Sequence, residues 1–154
     1  MIKLQFFYLD PSPTDMELPY ADEGVQAGYP SPAQCFMDSS IDLNRELVAH
    51  PTATFYARVS GDSMEGEGIC EGDILIVDKS LRPEHGDLAV CCVDGEFTLK
   101  RLRFLNGGHG VVLMPSNPRY PPIRISSEND FCVWGVVSYT IKANRRRRPG
   151  SVLW

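Results

Sequence analysis

No apolar run in this chain approaches the roughly 18 residues that a membrane-spanning helix needs. Residues 1–9 are apolar but too short for a secretory h-region with a cleavage site, so a cytoplasmic protein is expected. No Cys-x-x-Cys pair occurs, and the cysteines (Cys35, Cys70, Cys91, Cys92 and Cys132) are odd in number. Neither a disulfide framework nor zinc is expected, and no other metal or cofactor is called for. Cys91, Cys92 and Cys132 lie in apolar runs and read as small buried hydrophobes with reduced thiols. Histidine is scarce: His50, His85 and His109 stand beside Pro or Gly and read as loop or surface residues. There is no excess of positive charge. A net charge of −5 gives no global electrostatic case for DNA binding.

What is present suits one domain with an appended arm. The 154 residues are 43% hydrophobic and 23% charged, enough for a packed core. Residues 1–34 hold Pro11, Pro13, Pro19, Pro30 and Pro32 and almost no periodicity. Prolines at that density favour extended backbone and block helix. Within residues 1–28 the acids Asp10, Asp15, Glu17, Asp22 and Glu23 face one base, Lys3. This segment carries four of the five net negative charges and reads as an acidic, flexible N-terminal arm. Ser39-Ser40-Ile41-Asp42 fits a capping box for one short helix, with Ile41, Leu47 and Val48 facing a core and Pro51 marking its end.

From Thr54 onward strand follows strand. Runs at 55–59, 73–78, 87–93, 96–104, 110–114, 123–125 and 131–141 are separated by short turns, and Asp94-Gly95 is a hairpin signal. The expectation is a mainly β, mostly antiparallel, barrel-like body over 35–143. The tail 144–154 contains Arg145, Arg146, Arg147 and Arg148. It reads as a solvated, disordered end, with contact to nucleic acid or an acidic partner as the other reading.

Two short segments carry chemistry. Ser63 follows Gly61-Asp62, and its hydroxyl can stand on a turn, with the backbone N–H groups of Ser63 and Met64 facing a developing oxyanion. Such a serine is also ordinary turn chemistry. In 96–104, alternation puts Thr98, Lys100, Leu102 and Phe104 on one face and Phe97, Leu99, Arg101 and Arg103 on the other. A lysine sharing a face with apolar residues loses water, which lowers its pKa from about 10.4 toward the range of a general base. The plain alternative is a lysine that snorkels to the surface. A serine and a lysine alone suffice for a nucleophile–base pair.

Taken together, the runs at 60–78, 85–90 and 94–102 closely resemble the self-cleaving LexA/UmuD family of Ser-Lys peptidases (S24-type). So do 113–118 and 131–142, and the resemblance covers most of 24–143. The 37-position separation of Ser63 and Lys100 is similar to that family's. Its scissile bond is Ala-Gly or Cys-Gly, which implies cleavage here at Ala27-Gly28, within Gln26 to Ala33. About 27 acidic, proline-bearing residues before that bond cannot build a DNA-reading helical domain, so the UmuD-like branch is the better match. That branch implies a homodimer, stimulation by a RecA–single-strand DNA filament and service to a UmuC-like Y-family DNA polymerase in SOS mutagenesis. It implies no sequence-specific DNA binding and no membrane. The arginines at 145–148 depart from the compact ending of that branch. Rival readings are a LexA- or phage-repressor-like regulator, a non-catalytic polymerase-binding adaptor and a signal-peptidase-like membrane protease.

Overall fold

The computed structural model describes residues 3–12, 18–20 and 39–145. Strand β1 is Lys3–Tyr8, β2 is Leu18–Tyr20 and β3 is Ser39–Ile41, followed by helix α1, Leu43–Leu47. Then come β4 (Thr54–Ser60), β5 (Ile74–Asp78), β6 (Leu88–Val93), β7 (Glu96–Phe104), β8 (Val111–Met114), β9 (Ile123–Arg124) and β10 (Phe131–Ile141). Eight strands form one antiparallel sheet in the order β1-β4-β5-β10-β6-β7-β8-β9, while β2 and β3 pair separately. The mainly β, antiparallel body expected from the sequence is the fold observed.

The sheet curls until its first strand meets its sixth. Phe6 of β1 packs edge-on against Phe97 of β7, with ring centroids 5.1 Å apart. Burial on both sides explains why β6 reads as an unbroken apolar run rather than an alternating one. Leu88 and Val90 enter a cluster with Ala57, Val59, Met64, Leu75, Val77 and Leu99. Ala89 and Cys91 enter a second cluster with Leu102 and Leu113. Asp94 and Gly95 close the β6–β7 hairpin with φ of 50° and 85°, the two left-handed residues of a type I′ turn.

Two local expectations need correction. Ser39 and Ser40 lie in β3, so they form no capping box. Asp42 is the N-cap of α1, its carboxylate accepting from the Asn44 N–H at 3.0 Å. The helix is only five residues long and buries none of them fully; Val48, its C-cap, is the buried residue. The sequence reading also places no strand before Thr54, yet β1 pairs with β4 along its whole length. Among the cysteines, Cys91 is buried as expected, while Cys132 is exposed and Cys92 half-buried. Burial pushes the Cys91 thiol up to about 12. No helix of the described residues is long and apolar enough to cross a membrane.

Candidate active site

The chain leaves β4 at Ser60 and turns at Gly61, whose φ of 103° suits glycine alone. The turn sends Ser63 inward, where it is 1% exposed, and seats Met64 in the first core cluster. The loop after β8 holds this turn from outside. Ser116 and Asn117 donate their backbone N–H groups to the Ser63 carbonyl at 3.2 and 3.1 Å. The Asn117 side-chain amide donates to the Asp62 carbonyl at 3.0 Å, and the Tyr120 hydroxyl donates to the Asp62 carboxylate at 2.7 Å. That hydroxyl holds the Asp62 carboxyl below its usual range. In the short 3₁₀ turn Glu65–Glu67 that follows, a Cβ on Gly66 would strike the Ser116 carbonyl oxygen.

Lys100 projects from β7 opposite Ala89 of β6 and is 5% exposed. Its Nζ lies 3.1 Å from Ser63 Oγ and donates to the Leu99 carbonyl at 3.1 Å. Burial lowers the pKa of this amine, with Cys91 opposing the shift. A neutral Nζ has a lone pair that accepts the Ser63 hydroxyl proton. The next residue faces the other way and clamps the serine turn to the same strand. Arg101 grips Glu67 through Nε at 2.6 Å and a terminal nitrogen at 2.9 Å, and its other terminal nitrogen donates to the Gly86 carbonyl.

The pair opens into a cleft of about 780 Å³. Lys3 and Leu4 of β1, Asp94 and Phe97 of the β6–β7 hairpin, and Tyr120 and Ile123 line its walls. A cleft of this size is within the range of ligand-binding pockets. The structure thus brings Ser63 and Lys100 together across 37 positions of sequence. Met64 contributes its backbone to the turn and its side chain to the core. Ala27 and Gly28 lie outside the described residues. Asp62, Glu67, Arg101, Asn117 and Tyr120 support the site, and no local sequence pattern marks them. The turn-forming run Pro115-Ser116-Asn117-Pro118 was the available signal for a loop at this place. No cluster of His, Cys, Asp and Glu able to hold a metal occurs among the described residues.

Residues 19–138 match the family described as Peptidase S24-like. The chain is 37% identical over 146 residues to protein ImpA of Escherichia coli, covering 90% of this chain and 94% of ImpA. It is 40% identical over 125 residues to protein MucA of Escherichia coli, covering 80% and 84%. LexA repressor 1 of Xanthomonas campestris pv. campestris is 38% identical over 112 residues, covering 73% of this chain and 54% of the repressor. Family match, buried Ser-Lys geometry and relatives of nearly equal length agree: the chain belongs to the Peptidase S24-like family, as a UmuD-like member of its LexA/UmuD group.

Proposed function

We propose that this protein is a self-cleaving serine peptidase that cuts its own Ala27–Gly28 bond. Neutral Lys100 takes the Ser63 proton, and the serine oxygen attacks the Ala27 carbonyl. The backbone N–H groups of Ser63 and Met64 receive the developing oxyanion. Lys100 then hands its proton to the departing Gly28 amine, and water hydrolyses the Ala27 ester on Ser63. The observation that carries this reading is the buried 3.1 Å contact between Lys100 Nζ and Ser63 Oγ. A dry amine and a hydroxyl at bonding distance form a nucleophile–base pair without histidine.

The small Ala27 and unbranched Gly28 leave the bond sterically open. Scission separates an acidic leader from a body that is close to neutral. By likeness to the UmuD-like relatives, a RecA–single-strand DNA filament triggers the cut in the cytoplasm. The shortened homodimer then serves a Y-family, UmuC-like polymerase in error-prone synthesis. Two measurements test the chemistry. Ser63→Ala is expected to fold and keep its chain intact; cutting at Ala27–Gly28 in that variant would remove Ser63 from the mechanism. Unstimulated cleavage is expected to accelerate as pH rises through the lowered Lys100 pKa. A flat profile from neutrality to about pH 10 would exclude the lysine as base.

A further inference from the structure

Strand β1 lies on the leader side of the Ala27–Gly28 bond, and β4, its partner, lies on the body side. The two pair from Lys3↔Ser60 to Tyr8↔Phe55. None of those backbone hydrogen bonds depends on the peptide link at residue 27. The side chains add an inward face of alternate residues. Leu4 and Phe6 pack on the first core cluster, while Lys3, Gln5, Phe7 and Tyr8 are exposed. The Phe6 ring lies 4.7 Å from that of Trp134, and Tyr8 sits 5.2 Å from Phe55. Lys3 and Leu4 also form one wall of the cleft that holds Ser63 and Lys100.

We propose that the outer edge of β4 is a strand-binding groove whose resident occupant is the leader's own segment Lys3–Tyr8. Cutting the chain therefore does not by itself release the leader. This rests on the cleavage reading above. An edge strand offers a row of backbone donors and acceptors, and an added strand gains affinity from that ladder and specificity from alternate side chains. The groove selects an extended segment with two inward apolar residues, the second aromatic, whose ring packs at a tilt against Trp134. Before scission the chain link keeps the occupant at high effective concentration. After scission docking becomes bimolecular, so the leader is held at high protein concentration and lost on dilution. Its departure bares the β4 edge and opens one side of the cleft.

The test uses the full chain with Ser63→Ala, to silence self-cutting, and Trp154→Phe, to leave Trp134 as the sole indole. A recognition sequence for a sequence-specific protease is placed between Ala27 and Gly28, and that protease makes the cut. At tens of micromolar the leader and body are expected to elute together and to give, by native mass spectrometry, a mass with one leader per body. Trp134 emission shifts to the red only when the complex is diluted. Phe6→Ala is expected to weaken retention by roughly tenfold or more. A labelled peptide of residues 1–12 is expected to exchange into the cut complex, which keeps the test alive should Phe6→Ala fail to fold. Immediate separation at high concentration would overturn the proposal, as would equal retention with and without the Phe6 ring, or failure of the peptide to exchange. Because an outside protease makes the cut, a wild-type chain that never cleaves itself would sink the proposed function and leave this result standing on its own.

Discussion

Lys100 shows how burying a single amine draws on stability. Its amine is buried between strands, and burial lowers its pKa below the ordinary 10.5. The unfolded chain therefore binds a proton that the folded chain has released, over the window between the lowered value and 10.5. In that window stability rises with pH, because each increment removes protons from the unfolded state only. Lys100→Met has no such group and is expected to be more stable than the native protein at neutral pH. The gap should narrow as pH climbs toward 10, measured by urea unfolding at several pH values. A gap that stays constant or widens would place the amine in water. A second residue-scale expectation concerns Tyr120, whose hydroxyl anchors Asp62 beside the nucleophile. Tyr120→Phe is expected to slow cleavage on the order of tenfold while leaving the fold intact, because a misplaced serine loses near-attack geometry. Unchanged cleavage would show that the remaining contacts of the turn suffice. The burial of Lys100 was legible from its alternation with Leu102 and Phe104. The burial of Leu99 beside it was not, because alternation assigns one inward face and this curled sheet has two packed ones. The role of Tyr120 is not legible for another reason: its partner lies 58 positions away, and only tertiary folding brings a loop phenol to a turn carboxylate.

At the scale of elements, β5 and β6 are legible as β-branched and apolar runs that follow a glycine, and β7 as an alternating run after Asp94-Gly95. Strand β1 is not. Its Lys3-Leu4-Gln5-Phe6 alternation is clean, but Phe7 and Tyr8 extend it into an apolar run, and the prolines that follow read as an unstructured arm. What makes it a strand is the aromatic cluster of Phe55, Phe97 and Trp134, supplied from three distant elements. The helix start was misplaced for a related reason. Ser39 and Asp42 have capping-box spacing, but β3 takes up the serines and leaves Asp42 as the cap. The 3₁₀ turn after Ser63 is held by two specific contacts. Its Gly66 backs onto the Ser116 carbonyl with no room for a side chain, while Glu67 is held by Arg101 from β7. Gly66→Ala is expected to cost about 1–3 kcal/mol in unfolding experiments, the usual range for overpacking. It should also slow cleavage, since the loop it displaces supplies the donors to the Ser63 carbonyl. Full stability and full cleavage in that variant would mean the loop yields without disturbing the nucleophile.

At the scale of the whole molecule, the proposed reaction puts scissile bond and serine on one chain, and the geometry sets its expected kinetic order. Lys3 pairs with Ser60, close to the serine turn, while Tyr8 pairs with Phe55 at the far end of β4. The chain must therefore travel back along β1, about 17 Å at 3.4 Å per residue, to bring Ala27 to Ser63. Ala27 lies nineteen positions beyond Tyr8 in the sequence, and β2, between the two, pairs with β3. A bond carried on the same chain as its serine meets it at an effective concentration in the millimolar range. Collisions between separate molecules at micromolar concentration cannot compete with that. Cleavage is thus expected to be first order, with the same rate constant from about 0.1 to about 10 μM protein, followed by denaturing gels at fixed times. A rate constant that rises in proportion to concentration would mean that the docked leader prevents its own bond from reaching its own serine. In that case, loosening β1 with Phe6→Ala should restore the first-order reaction, because it frees the strand whose docking makes the chain double back.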